Sequence, residues 1–386
     1  MNRITTIDVT RGLVMVIMAL DHVRDLLHTS ATTQDPTDLA VTTAPLFLTR
    51  WITHLCAPTF VFLSGMSAYL SVKKQQHSPS SRLFLLKRGL VLILLELTLV
   101  NFAFWFDIQF RTILLQVIYA IGGGLVVVSL LARLPVRWVG SLGLVIIFGH
   151  NLLQAVPVPT SHAARFVESL FFRVNVFQPS PSFTLIVGYP LLPWLGIMLV
   201  GFAGGSLLDQ PLVRRKQTLL RLGLASLGLF LLLRFINVYG DPVPWSVRKD
   251  TLFTMLSFIN VTKYPPSLLY DLLMLGIALI LLSLADGADN AITRWLTVYG
   301  KVPMFYYIIH WYAVHLLMIA MILIQGYAWH DIRPGTMSFG RPAGAGVELG
   351  LVYLVWGGLV LALYPLCRWY GRYKASHPSA VLLRYI

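Results

Sequence analysis

The first apolar stretch of this sequence contains an unusually large number of ionisable side chains for a segment that is otherwise so hydrophobic. They are Asp8, Arg11, Asp21, His22, Arg24, Asp25 and His28. An ionisable side chain inside a membrane-spanning segment is energetically expensive, so by default it marks a functional site. Histidine titrates near neutral pH, which makes His22 and His28 candidate general bases that could take a proton from an acceptor. Asp25 follows His22 by one turn and can orient its ring, and Asp21 is a second, less well-placed candidate.

Helical spacing places Arg11 and His22 on one face of this segment. A helix turns about 100° per residue, so the two side chains lie about 20° apart in projection and roughly 16 Å apart along the axis. Asp8 precedes Arg11 by three residues and can pair with it across one turn. Two ordinary explanations stay open. Asp8 and Arg11 could be a helix-start pair at a basic membrane face, and His22 a polar group at the opposite boundary.

The composition requires lipid as the solvent for much of the chain. Of the 386 residues, 56% are hydrophobic and only 12% are charged, and the mean hydropathy is +0.72. A soluble domain carries roughly 25% charged residues, so this chain could not cover its surface with polar groups. Its apolar runs are about 20 residues long and do not alternate, which favours helices over a closed barrel. The predicted fold class is therefore an all-α, polytopic integral membrane protein.

About ten membrane-spanning helices are predicted, in a single domain over residues 1–386. The spans lie at about 7–27, 52–72, 88–106, 112–132, 138–156, 184–206, 218–239, 265–285, 301–324 and 347–367. Most of the 30 Lys and Arg residues fall on the side of the N-terminus, which predicts that both termini are cytoplasmic. The net charge of +14 would suggest a nucleic-acid partner in a soluble protein. Here the basic loops explain it, and the predicted partner is the lipid bilayer.

Further polar residues near the predicted spans are candidates for a substrate pathway. Gln116 in the fourth span either lines a cavity or makes a buried hydrogen bond. His310 in the ninth span either faces a cavity or packs as an ordinary buried histidine. Lys263 and Tyr264 precede two prolines, and Lys263 could bind an acceptor carboxylate or sulfate, or a lipid head group. His315 lies about 140° from His310 on a straight helix, and the two cysteines form no ligand motif, so no metal site is predicted.

Five segments of the chain resemble, in order, the heparan-α-glucosaminide N-acetyltransferase catalytic-domain family, including its bacterial members. They read RITTIDVTRGLVMVIMALDHVRDLLH, APTFVFLSGMSAYLS, LQVIYAIG, FINVTKYPPSLLYDLLMLG and YGKVPMFYYIIHWYAVH. The spacing of Arg11 and His22 is also similar to the Arg-x10-His motif of the family-three membrane acyltransferases, which share the broader design of transmembrane acyltransferases.

The resemblance implies transfer of an acyl group, usually acetyl, from cytosolic acetyl-CoA to an amine or hydroxyl of a carbohydrate beyond the membrane. It also implies a bacterial inner membrane as the location and suggests a homodimer. The negative charges of CoA need basic residues at the cytoplasmic mouth. The candidates are Arg11, held by Asp8, together with Lys87, Arg88 and Lys301. The general excess of Lys and Arg in cytoplasmic loops explains the positions of Lys87, Arg88 and Lys301 equally well, but not that of Arg11.

The resemblance leaves two histidines as candidates for the base. In the lysosomal branch an Asn stands where this chain has His22, and the catalytic histidine comes later, which would correspond here to His28. The Arg-x10-His motif instead selects His22, and the helical spacing from Arg11 favours that assignment.

A secondary transporter of a small polar or anionic solute is the rival hypothesis from a different class. It would use the same intramembrane charges as a proton or substrate relay. Transporters often contain internal repeats with paired broken helices, and no such repeat stands out in this sequence.

Overall fold

The protein folds as a bundle of long apolar helices. The structure is a computed structural model that describes residues 5–74, 78–380 and 383. The helices of the N-terminal half are α1 (Thr5–Leu27), α2 (Ala44–Thr53), α3 (Cys56–Lys74), α4 (Pro79–Leu95), α5 (Asn101–Trp105), α6 (Val117–Leu131), α7 (Val136–Gly149) and α8 (His162–Phe171). Those of the C-terminal half are α9 (Leu191–Gly204), α10 (Leu212–Ile236), α11 (Thr251–Ile259), α12 (Leu268–Ala285), α13 (Ala291–Gly300), α14 (Pro303–Ile324) and α15 (Leu349–Ser376). A π-helical turn over Glu96–Val100 joins α4 to α5.

Proline marks the start of several of these helices. It is the first helical residue in α4 and α14, and it directly precedes α7, α9 and α10. A proline has no N–H, and the first N–H groups of a helix have no partner within the helix, so proline costs least at this position. These prolines therefore explain where the helices begin.

Among the described residues, seven helical segments are long and apolar enough to cross a bilayer. They are Ala44–Lys74, Val136–Ala155, Leu191–Asp209, Leu212–Ile236, Leu268–Ala285, Pro303–Ile324 and Leu349–Ser376. The shorter α6 is also apolar. The two other predicted spans coincide with α1 and with the α4–α5 segment, which carry charged residues. The predicted all-α, polytopic membrane fold is therefore confirmed.

The predicted spans at 112–132 and 184–206 begin in strands, which corrects the prediction. β1 (Thr112–Leu115) pairs in parallel with β3 (Phe183–Val187), and β2 (Asn175–Ser180) pairs with β3 in antiparallel orientation. The strand order is β1-β3-β2, with Thr112 opposite Thr184. A short apolar run does not distinguish a strand from a helix by periodicity. Here, pairing between distant segments selects the strand.

The helix α1 lies inside the bundle, where it packs against α2, α3, α12, α13, α14 and α15. Its close approach to α13 depends on two glycines. A β-carbon at Gly12 would lie 1.9 Å from the main-chain oxygen of Leu296, and one at Gly300 would lie 1.8 Å from that of Asp8. Small residues of this kind let helix backbones approach closely in a membrane. The beginning of α1, with its charged residues, is thereby fixed inside the bundle.

The orientation in the membrane is a prediction that labelling can test. We expect single cysteines in 74–82 and 376–386 to react with an impermeant thiol reagent from the cytoplasmic side only. Cysteines in 160–178 and 241–262 should react only from the outside, because the short basic loops retain the first set inside. Residues 75–77, 381–382 and 384–386 lie outside the described part of the chain. Labelling of the first set from outside would reverse the orientation.

Candidate active site

Two adjoining cavities lie within the helical bundle, and α1 contributes to the walls of both. The Arg11 cavity has a volume of about 230 Å³ and is lined by Arg11 and Met15 of α1. The His22 cavity has a volume of about 180 Å³ and is lined by Met18, Asp21, His22 and Asp25 of α1. Three side chains belong to the walls of both cavities, namely Phe60, Val117 and Tyr307. The two cavities therefore meet at these side chains, about midway along the charged face of α1.

The Arg11 cavity combines an apolar wall with two guanidinium groups. Arg11 donates hydrogen bonds to Ser67 Oγ at 2.9 Å and to the Gly300 carbonyl at 3.3 Å, and it forms an ion pair with Asp8 at 3.7 Å. The predicted pairing of Asp8 with Arg11 is thus confirmed. Arg88 lines the same cavity, and its Nε has no hydrogen-bond partner. Two positive groups facing one apolar-walled cavity favour an anionic ligand.

The predicted donor-binding residues Lys87 and Lys301 lie elsewhere. Both side chains are exposed, and neither lines the Arg11 cavity. Lys87 directly precedes Arg88 on a helix, where adjacent side chains point about 100° apart, so only one of the two faces the interior. These lysines can contact only the part of a ligand that protrudes from the cavity.

In the His22 cavity, His22 is held by aromatic residues of α14. Its Nδ1 lies 2.6 Å from Nε2 of His310, and its ring stacks on Trp311 with a centroid distance of 3.9 Å. His310 Nδ1 lies 2.9 Å from the main-chain carbonyl oxygen of residue 306. Of the two alternatives for His310, a cavity-facing residue or an ordinary buried histidine, the structure favours the second, since His310 lines neither cavity and contacts His22 and that carbonyl.

The contacts of His310 define the tautomers of the histidine pair. A carbonyl oxygen can only accept a hydrogen bond, so His310 Nδ1 carries the proton and Nε2 accepts. His22 must then donate from Nδ1 to His310, which leaves Nε2 of His22 as its basic nitrogen. A second group that fixes the tautomer of a catalytic histidine is a common requirement for acid–base chemistry.

Asp21 and Asp25 do not supply this orienting contact, which corrects the predicted role of Asp25. Asp25 pairs with Arg24. Asp21 accepts from Arg24 at 2.9 Å, from Arg50 at 2.5 Å and from Thr53 Oγ1 at 2.9 Å. The adjacent arginines are stronger partners for a carboxylate than a neutral imidazole is. Asp21 and Asp25 still line the His22 cavity, but their nearest partners are arginines.

His28 lies just beyond α1, and it lines neither cavity. It caps the short 3₁₀ helix Thr29–Thr32, because its Nδ1 accepts from the Ser30 N–H at 3.3 Å. Its carbonyl oxygen accepts a hydrogen bond of 2.7 Å from Arg341. The described contacts of His28 therefore stabilise the end of α1, whereas those of His22 belong to a cavity.

Three of the four predicted acceptor-side residues come together at the His22 cavity. Gln116, Lys263 and Tyr264 all line it. Lys263 Nζ lies 5.1 Å from the centroid of the Tyr264 ring, and the Tyr264 hydroxyl accepts from Arg50 at 3.4 Å. One ammonium, one guanidinium and several hydrogen-bonding side chains thus surround the space in front of His22, which suits a polar ligand.

Sequence reasoning missed several residues of this wall. They are Arg50, Tyr189, Tyr307 and Trp311. Arg50 stands just before the second predicted span, opposite the carboxylates at the end of the first. That charge complementarity was the available signal for Arg50. The aromatic residues carry no comparable signal, since aromatic side chains are common throughout the sequence.

Within the described part of the chain, no three His, Cys, Asp or Glu side chains lie close enough together to hold a metal ion. His315 stacks on Phe106 with a centroid distance of 3.9 Å, whereas His310 contacts His22. The two histidines of α14 thus have separate neighbours.

The fold and these cavities define a multi-pass membrane protein that encloses a polar site inside a helical bundle. The family model described as Heparan-alpha-glucosaminide N-acetyltransferase, catalytic, matches residues 3–234. This match covers more than half of the chain, and the chain belongs to that family of transmembrane acetyltransferases. The match includes α1 and the Arg11 cavity wall up to α6, and it ends before α14. A comparison with curated proteins finds no match.

Proposed function

We propose that this protein transfers an acetyl group from cytosolic acetyl-CoA to an amine or hydroxyl of a carbohydrate on the other side of the membrane. The observation that carries the proposal is the pair of adjoining cavities along one helix. One cavity presents Arg11 and Arg88, and the other presents His22 with a fixed tautomer. A donor and an acceptor entering from opposite ends would meet at the shared wall.

The donor fits the Arg11 cavity by charge and polarity. The phosphate groups of CoA are anionic and form strong charge-assisted hydrogen bonds with guanidinium groups. The pantetheine arm is less polar, and the apolar wall formed by residues such as Met15 and Leu92 suits it. In this arrangement the thioester lies at the inner end of the cavity, beside Phe60 and Tyr307.

The acceptor occupies the His22 cavity, where Lys263, Tyr264 and Gln116 supply polar contacts. His22 Nε2 takes a proton from the acceptor nitrogen or oxygen as that atom attacks the thioester carbon. The new bond forms between the acceptor atom and the acyl carbon. The carbon–sulfur bond then breaks, and the sulfur leaves with its electron pair as CoA thiolate. General-base catalysis of this kind contributes about 100- to 10,000-fold to the rate.

The cellular setting is part of the proposal. The apolar helices make the lipid bilayer a partner of the protein, and the resemblance to bacterial members supports the inner membrane as its location. The same resemblance supports a single catalytic domain and a homodimer.

Purified protein in proteoliposomes tests the proposal. Acetyl-CoA is supplied on one side and methyl α-glucosaminide, which offers an amine and several hydroxyls, on the other. We expect acetylated sugar, with nuclear magnetic resonance locating the acetyl group on nitrogen or oxygen. Acetyl-CoA should also raise the melting temperature, because a ligand at about 100 times its Kd stabilises the native state by about 2.7 kcal/mol. Sugar flux without acetylation, and no stabilisation by acetyl-CoA, would favour the transporter hypothesis.

Replacement of Arg11 with alanine is expected to weaken acetyl-CoA binding while the protein stays folded. The change removes a guanidinium from the Arg11 cavity, and a hydrogen bond to a charged group contributes about 1.5–3 kcal/mol, which corresponds to roughly a 10- to 100-fold change in Kd. Isothermal titration with acetyl-CoA measures the effect. Arg214→Ala is the matched control, since Arg214 is exposed on α10 and does not line the cavity. Equal affinity of the Arg11 variant and the wild type would contradict the assignment of this cavity to the donor.

A further inference from the structure

The hydroxyl group of Tyr307 has an unusual position in the bundle. Tyr307 lies in α14, where its side chain is 5% exposed and forms part of the wall of both cavities. Its hydroxyl oxygen is buried and has no hydrogen-bond partner. Buried polar groups are nearly always paired, so each unpaired one needs an explanation. An unpaired polar group is even more costly inside a membrane protein, because the surrounding hydrocarbon cannot form a hydrogen bond with it.

No neighbouring group among the described residues accepts a hydrogen bond from this hydroxyl. The indole N–H of Trp311, another residue of the wall, lies close to the hydroxyl oxygen but outside ordinary hydrogen-bond geometry. An indole N–H can only donate, so it leaves the hydroxyl proton without an acceptor. The carboxyl group of Glu96 is fully buried and lies within electrostatic range of the hydroxyl. Its Oε1 accepts the Gln116 main-chain N–H at 2.8 Å, and its Oε2 is unpaired. The Tyr307 hydroxyl is therefore a donor without an acceptor, on a side chain that forms part of the wall of both cavities.

The ring of Tyr307 lies close to the rings of both His22 and His310. The Tyr307 ring lies 6.5 Å from the His22 ring, centroid to centroid, with an interplanar angle of 80°. It lies 5.6 Å from the His310 ring. A thioester whose sulfur lies in the Arg11 cavity, and whose carbon is attacked by an acceptor beside His22, must place its carbonyl group at this junction.

We infer that the Tyr307 hydroxyl donates a hydrogen bond to the carbonyl oxygen of the thioester and stabilises the negative charge that develops there. This inference rests on the proposed acetyl transfer. As the acceptor atom bonds to the acyl carbon, His22 takes the acceptor proton and the carbonyl oxygen gains the electron pair of its π bond. Tyr307 keeps its own proton throughout. When the carbonyl re-forms, the carbon–sulfur bond breaks and CoA thiolate leaves.

The Tyr307→Phe variant tests this inference, with acetyl-CoA and methyl α-glucosaminide as the probe substrates. Removal of one donor of this kind lowers kcat by about 100- to 1,000-fold, and we expect a loss in that range. The KM for acetyl-CoA should stay the same, since the contact strengthens only as charge develops. The melting temperature should not fall, because the variant removes a hydroxyl that has no partner in the folded protein.

Tyr299→Phe is the matched control and should show the opposite pattern. Tyr299 is also fully buried, but it lines neither cavity, and its hydroxyl donates to the Val360 carbonyl at 2.9 Å. Its variant should have a lower melting temperature and an unchanged kcat.

Two outcomes would overturn the assignment of Tyr307. One is a kcat of Tyr307→Phe equal to that of the wild type. The other is a fall in melting temperature together with a proportional loss of active protein, as expected if the hydroxyl pairs with Glu96 for structural reasons. Failure of the wild-type protein to transfer acetyl from acetyl-CoA would instead overturn the proposed function, so the two failures are distinguishable.

Discussion

Replacement of His22 with alanine is expected to abolish acetyl transfer and to leave acetyl-CoA binding intact. His22 supplies the basic nitrogen of the His22 cavity, and its tautomer is set by the contact of 2.6 Å with His310. Loss of general-base catalysis lowers the rate by about 100- to 10,000-fold. The proposed donor contacts lie in the Arg11 cavity, at the other end of the charged face of α1. Steady-state kinetics with methyl α-glucosaminide, together with calorimetric titration of acetyl-CoA, measure the two effects separately.

His28→Ala is the control for this experiment, and it tests the alternative assignment of the base. His28 contributes a capping contact to Ser30 and lines neither cavity. Loss of a helix cap costs about 0.5–2 kcal/mol of stability, so a slightly lower melting temperature and nearly full activity are expected. Full activity in His22→Ala with loss in His28→Ala would establish the lysosomal-type assignment and refute the role proposed for His22.

Replacement of Asp21 with asparagine is expected to cause a large loss of stability. The Asp21 carboxylate is 10% exposed, and it pairs with Arg24, whose side chain is 3% exposed, and with Arg50 at 13%. Asparagine has a similar shape but no charge, so two largely buried guanidinium groups would lose their common partner. Removal of one partner from a buried ion pair typically costs about 3–5 kcal/mol. Thermal unfolding in detergent, followed by tryptophan fluorescence, measures the change.

Asp289→Asn provides the comparison for Asp21→Asn. Asp289 pairs with Arg294 at 3.0 Å, and the two side chains are 79% and 67% exposed. An exposed ion pair contributes about 0–1 kcal/mol, so this variant should unfold almost like the wild type. Equal melting temperatures for the two variants would indicate that the Asp21 cluster is hydrated and weakly coupled to folding.

The membrane-spanning helices were largely predictable from the sequence, because their long apolar runs exceed what a soluble core requires. The pairing of Asp8 with Arg11 was predictable for a similar reason, since both residues lie within one continuous helix, α1. Helix geometry alone determines which residues of such a segment share a face. The strand at Thr112–Leu115 was not predictable, because its identity depends on pairing with β3.

The sequence by itself determined that the chain lies in a membrane, that α1 carries a line of ionisable residues, and that His22 lies on the same face as Arg11. These properties depend on composition and on periodicity within one helix. Only the tertiary structure decided which groups surround His22. His310 and Trp311 approach it from α14, and Arg50 from α2 reaches Asp21. Contacts between residues almost 300 positions apart depend on how the helices pack, and packing is a property of the whole bundle, which local sequence patterns do not encode.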